Sequence, residues 1–255
     1  MTGTPFFKAL GALTWRWFRR LRREPAGLVS TLAQPALWLV LFGNLFEGSQ
    51  IVSDYSYIAF MSAGVIVMTV FNATISGGVE ILFDRESGVL QRLFATPIPP
   101  VTIFASRFLF VNTLATVQAL IILLTAFLLG VPLTANVLGL ALILLTGVLL
   151  GMGITAISVT LALVLRGHGQ FFSIIGFVSL PLTFVSNALV PLETMPQWMQ
   201  IFSRINPLTY AITIIRSLIL EGVDWGLIAQ MGGVLLVFGI VMVGMTLWVS
   251  GRVTE

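Results

Sequence analysis

The sequence predicts an all-α integral membrane protein. Three observations carry that reading. Hydrophobic residues make up 57% of the 255 residues and charged residues only 9%. Mean hydropathy is +1.03. The apolar residues also gather into six long runs, roughly 27–46, 57–79, 108–129, 137–165, 171–190 and 227–250. A soluble domain carries about 25% charged residues. Each run can cross about 30 Å of hydrocarbon at about 1.5 Å per helical residue. The runs are apolar at odd and even positions alike, whereas a strand of a membrane barrel alternates, so helix is the spanning structure that satisfies every backbone group. The expectation is a single transmembrane domain over residues 1–255 with six transmembrane helices.

The chain begins with an amphipathic segment over residues 1–24. Phe6, Leu10, Leu13, Trp17 and Leu21 share one helical stripe, with Arg16, Arg19 and Arg23 beside it. Such a helix lies in the headgroup layer and meets anionic lipid. Trp15 and Phe18 fall off the stripe. The charges follow the apolar positions and no small-residue cleavage pattern appears, so a cleavable signal is not expected.

Orientation follows from Lys and Arg, which accumulate near span ends on the cytoplasmic side. With the N-terminus inside, eleven of the thirteen basic residues lie inside: Lys8, Arg16, Arg19, Arg20, Arg22, Arg23, Arg85, Arg92, Arg107, Arg166 and Arg252. Arg204 and Arg216 lie outside. The acids split evenly, with Glu24, Glu80, Asp84, Glu86 and Glu255 inside and Glu47, Asp54, Glu193, Glu221 and Asp224 outside. Both termini are therefore expected in the cytoplasm. The net charge of +3 belongs to these flanks. No basic patch with interleaved aromatics stands apart from the membrane, so no nucleic-acid partner is expected.

Between the second and third runs lies a charged loop, residues 80–100. Asp84, Arg85, Glu86 and Arg92, with Val89, Leu90, Leu93 and Phe94, make a short amphipathic helix. Gly88 allows a bend, and Pro97, Pro99 and Pro100 end the helix. A charged interfacial loop beside a span is the plain alternative. Between the fifth and sixth runs, residues 191–222 hold an apolar stretch too short to span and interrupted by Arg216. It reads as a pair of short helices dipping into the outer leaflet. Pro196 and Pro207 suit first turns, and Asn206 suits an N-cap. Arg216 needs the outer headgroups or an acid, and Glu221 and Glu193 are the available partners.

Within the spans, Gly147 and Gly151 form a G-x-x-x-G that lets two helices approach, chiefly inside one subunit. Asn72, Gln118 and Asn187 need hydrogen-bond partners, either as glue between helices or as the lining of a path. No span has a carboxylate in its central part, which argues against an ion-coupled transporter. An enzyme finds no support: His168 is the sole histidine, there is no cysteine, and no metal-ligand spacing or G-x-S-x-G elbow occurs. No channel filter motif is visible. A nucleotide site would need Gly-Lys followed by Ser or Thr, yet the only lysine, Lys8, follows Phe7.

Two motifs add a family resemblance. Glu86, Gly88, Leu90, Arg92, Leu93, Thr96 and Pro97 form E-x-G-x-L-x-R-L-x-x-T-P. Pro191, Leu192, Met195, Pro196 and Trp198 form P-L-x-x-M-P-x-W, followed by Asn206, Pro207, Leu208, Thr209, Tyr210 and Ala211 and then Arg216. In these motifs, their order and the span count, the chain resembles the type-2 membrane subunits of ATP-binding-cassette exporters, particularly daunorubicin-resistance-like drug-efflux permeases. The resemblance covers nearly the whole chain. It implies a homodimer of this chain in a bacterial plasma or inner membrane, docked to two copies of a separate ATPase that holds ATP and Mg, with no cofactor in this chain.

The same resemblance makes the loop a coupling helix: Asp84, Arg85, Glu86, Gly88, Leu90, Arg92, Leu93 and Phe94, with Glu86 and Arg92 orienting the seat and Leu90, Leu93 and Phe94 giving apolar contact. The substrate path would follow the second and fifth spans, past Phe71, Asn72, Phe177, Phe184 and Asn187. The re-entrant hairpin would gate its outer end through Pro191, Pro196, Asn206, Pro207, Tyr210 and Arg216. An amphipathic drug or lipid suits this lining, and polysaccharide export by the same family stays open.

Overall fold

The computed structural model describes residues 6–23, 25–46, 55–132, 134, 136–165 and 167–253. Five acids and bases of the orientation argument, Glu24, Glu47, Asp54, Arg166 and Glu255, lie outside the described residues. All regular structure among the described residues is helical. In chain order the helices are α1 (Phe6–Arg23), α2 (Pro25–Leu45), α3 (Tyr57–Ile75), α4 (Val79–Glu86), α5 (Val89–Phe94), α6 (Pro100–Leu128), α7 (Val137–Val164), α8 (His168–Val185), α9 (Gln197–Ile205), α10 (Pro207–Leu220) and α11 (Trp225–Val253), with short 3-10 turns at Ser76–Gly78 and Leu192–Thr194. Five stretches among the described residues are long and apolar enough to cross a membrane: Tyr57–Glu86, Pro100–Leu128, Val137–Val164, His168–Val185 and Trp225–Arg252. α2 adds a helix of 21 residues with Pro35 inside it.

The expected runs coincide with helices, but three boundaries move. The second span does not stop at Val79; it continues through the 3-10 turn and α4 to Glu86. The third starts at Pro100, because a proline needs no amide partner in a first turn. The fifth ends at Val185, so Asn187 sits in the irregular segment that follows it.

α3 is the hub, packed on α2, α6, α7 and α10. Small residues make this possible. A Cβ on Gly64 would stand 2.8 Å from Ala188 Cα, and one on Gly78 would strike the Ser158 backbone. Ser158 Oγ accepts from Gly78 N at 2.8 Å and donates to Ile75 O, so one hydroxyl stitches the 3-10 turn to α7. Gly151 of the G-x-x-x-G faces Asn112 and Thr74, and Gly147 faces Val70, which places this motif in packing within the chain. α7 also packs closely on α11, where Gly153 faces the Phe238 ring and Thr160 and Thr246 share a hydrogen bond of 2.9 Å.

Candidate functional site

The Arg-rich end of the bundle is built on the turn between α4 and α5. The sequence reads as one amphipathic helix here, but the structure breaks it. Gly88 takes φ +72°, a left-handed conformation that favours glycine, and α5 starts again at Val89 in a new direction. The break sorts the expected coupling residues into inward and outward groups.

Asp84 turns inward, 7% exposed, and pairs with Arg16 Nη2 at 2.5 Å. Arg85 Nη1 donates to the carbonyls of Ala162 and Leu163 at 2.9 and 2.8 Å. These carbonyls lie in the last turn of α7, where a helix end leaves acceptors to be satisfied, so Arg85 caps α7. Leu90 is 2% exposed and belongs to a cluster with Leu13, Ile81, Leu82, Phe104 and Phe171. Leu93 and Phe94 pack half-buried against the same cluster. Glu86 and Arg92 stay exposed; Glu86 meets His168 Nδ1 at 2.6 Å. His168 opens α8 and ties that helix to the turn. The first helix is bound here too, through Arg16 to Asp84 and Arg20 to Glu80 at 2.6 Å, with Trp17 and Phe18 against Phe110. Phe18, off the expected stripe, thus has a packing role.

At the opposite end the hairpin forms as two helices, α9 and α10. Asn206 Oδ1 accepts from Leu208 N at 3.0 Å, the N-cap its type favours, with Pro207 at the first helical position. Pro196 stands one place before α9, and Pro191 precedes the 3-10 turn. Asn206 Nδ2 also holds Leu182 O of α8 at 2.6 Å, and Tyr210 OH donates to Arg204 O at 2.5 Å. α10 is no surface cap: it is packed on α3, α7 and α11.

Arg216 does not pair with Glu221 or Glu193. Its Nη2 donates to Asn187 O at 2.7 Å and its Nε to Phe60 O at 3.3 Å, and the guanidinium lies 3.6 Å from the Phe60 ring centre. Planar, always charged and rich in donors, it suits carbonyls as well as carboxylates. Glu221 instead accepts from Ser217 Oγ at 3.3 Å. Beside Arg216 lies a cavity of about 850 Å³, lined by Asn187, Glu193, Arg204, Tyr210, Glu221 and Gln230 among others.

The expected path residues separate. Phe71 is wholly buried in the main core and cannot line a path. Asn72 and Phe184 line one cavity of about 170 Å³ between α2, α3 and α8, together with Gln34, Trp38 and Thr183. Phe177 is 80% exposed on α8, away from that cavity. Asn187 is buried, with Nδ2 on Thr213 Oγ1 at 3.2 Å, so it joins the hairpin end. Gln118 finds Thr31 at 2.9 Å, glue between α6 and α2.

Residues 8–220 match the family model described as ABC-2 type transporter. Proteins named transport permease ycf38 are similar: that of Porphyra purpurea is 37% identical over 219 residues, 84% of this chain and 74% of that protein. That of Cyanophora paradoxa is 38% identical over 218 residues, with the same coverage. The daunorubicin resistance ABC transporter permease protein DrrB1 of Streptomyces coeruleorubidus is 30% identical over 209 residues, 80% of this chain and 72% of that protein.

Proposed function

The chain belongs to the ABC-2 type transporter family, and on that premise we propose that two copies of it form the membrane pore of an exporter powered by ATP bound, with Mg, on a separate ATPase subunit. The observation that carries this reading is the α4–α5 turn. It leaves Glu86 and Arg92 exposed while α4 continues directly from α3, the most buried long helix. A push on the turn reaches α3 along one continuous helix, α7 through the Arg85 cap, and α8 through Glu86 and His168. The docking surface is therefore Glu86, Arg92 and the exposed sides of Leu93 and Phe94. Asp84, Arg85, Gly88 and Leu90 shape it from behind.

In this reading α2 spans as well and brings the count to six, the Arg-rich end and both termini face the cytoplasm of a bacterial inner membrane, and α1 rests against anionic lipid. The cavity holding Asn72 and Phe184 opens onto the path for an amphipathic drug or lipid, a substrate class supported by the likeness to DrrB1. The α9–α10 hairpin with Pro191, Pro196, Asn206, Pro207, Tyr210 and Arg216 closes the outer end. The test is reconstitution with the partner ATPase and ATP-driven movement of an amphipathic dye. Glu86→Ala and Arg92→Ala should each reduce transport while the chain stays folded; normal transport by both variants would refute the docking role.

A further inference from the structure

At the Arg-rich end a second cavity, about 270 Å³, opens between α1, α2, α3 and α6. Two guanidinium groups line it, Arg20 and Arg107, with one carboxylate, Glu80, already paired with Arg20. Arg107 is the unusual member. It is 5% exposed, and its one hydrogen bond among the described residues runs from Nε to Gly77 O at 2.7 Å. No carboxylate among the described residues lies within ion-pair distance of it. Its guanidinium instead lies beside two aromatic rings, 4.7 Å from the Trp17 ring centre and 5.4 Å from that of Phe110. Trp17, 3% exposed, lines the same cavity, and its indole N–H has no acceptor.

A buried guanidinium that Glu80 and Asp84 balance only at a distance, with no hydrogen bond from its two terminal nitrogens among the described residues, and a buried donor without an acceptor each carry a desolvation cost that a bound anion would reduce. Their common wall makes one anion sufficient for both. The rest of the lining is mixed: Leu21, Ala73, Val79 and Leu114 form an apolar wall, and Thr31, Ser76 and Gln118 add polar groups. We infer that this cavity binds the phosphate group of an anionic phospholipid, with Arg107 and the Trp17 indole holding the phosphate, Arg20 beside it, and the apolar wall taking the start of an acyl chain. The phosphate chemistry is equally that of free phosphate; the apolar wall and the place of the site beneath the α1 stripe favour the lipid. The inference shares with the proposed function the placement of this end at the cytoplasmic leaflet and of α1 against anionic lipid, not the transport step. Its readout is lipid binding, so its failure would leave the transport reading untouched.

The test uses the full chain purified in a neutral detergent and native mass spectrometry, with phosphatidylglycerol and phosphatidylcholine of matched chains. One phosphatidylglycerol per chain should bind about tenfold or more tightly than phosphatidylcholine, as a charge-assisted contact implies. Arg107→Gln should abolish the preference. Trp17→Phe, which keeps the ring and removes the N–H, should weaken it several-fold, and Arg20→Gln should weaken it less. Should Arg107→Gln fail to fold, the other two variants carry the test. Equal binding of both lipids, or a preference unmoved by Trp17→Phe and Arg20→Gln, would overturn the site. Protection from heat by millimolar inorganic phosphate without any preference for phosphatidylglycerol would overturn the lipid as its source.

Discussion

The stretch Tyr57–Glu86 and helix α8 are both apolar and long enough to span, yet 83% of an 18-residue apolar stretch of the first is buried within the chain against 6% in the second. The difference lies in side-chain size and placement. Gly64, Gly77 and Gly78, with Ala59, Ala63 and Ser62, let four neighbouring helices close upon α3. α8 presents Phe172, Ile174, Phe177 and Val178 outward and touches the body mainly through Phe171, Ile175 and Leu182. In a membrane, lipid tails are as apolar as leucine, so apolar residues alone drive no packing, and close fit decides which helices associate. α3 is thus a structural axle, and α8 a helix whose open face belongs to something outside the chain.

The largest effect should come from filling the axle. Gly64→Val places new atoms against the Ala188 backbone, which cannot move aside as a flexible side chain would, so a cost of about 3 kcal/mol or more is expected. Gly176→Val on α8, where nothing lies within 4 Å, should change stability by no more than about 0.5 kcal/mol. Thermal denaturation of both variants in detergent compares the helices directly; equal losses would erase the distinction.

Next in size is Arg216→Ala. It strips donors from the Phe60 and Asn187 carbonyls and so cuts α10 loose from α3 and from the segment after α8, at roughly 2–3 kcal/mol. If the hairpin closes the path, vesicles carrying this variant should also leak a small dye. Tight vesicles with unchanged transport would reduce the hairpin to a structural brace.

A smaller contrast lies within the turn. Arg85→Ala should cost about 1–2 kcal/mol, because two α7 carbonyls lose their cap. Glu86→Ala should cost under about 1 kcal/mol, since its pair with His168 is half-exposed. Melting curves check both. A larger loss for Glu86→Ala than for Arg85→Ala would reverse the inward and outward assignment.

Hydropathy made the long helices legible, and the proline and Asn206 signals made the hairpin starts legible, because both are local effects. What stayed hidden depends on which face of an all-apolar helix meets a neighbour. Phe71 reads like Phe177 in sequence, but one is core and the other is open. Leu90 reads as a contact for a partner and is buried in its own chain, since the left-handed turn at Gly88 rotates α5 against the α1 and α4 cluster. Arg216 suggested an acidic partner because charge pairing is the familiar rule, whereas the structure satisfies it with main-chain carbonyls that no sequence pattern displays. Asn112 carries no signal of its own in the sequence, and only the fold sets it against Gly151.

The proposal that two copies form the pore, here with the open face of α8 turned to the second copy, can be tested by disulfide trapping. The chain contains no cysteine, so single substitutions give an unambiguous result. Phe177→Cys should form a covalent dimer in native membranes under mild oxidation, whereas Ile240→Cys on the exposed face of α11 should remain monomeric. Crosslinking at position 240 with none at 177 would contradict the account and move the pair interface to α11.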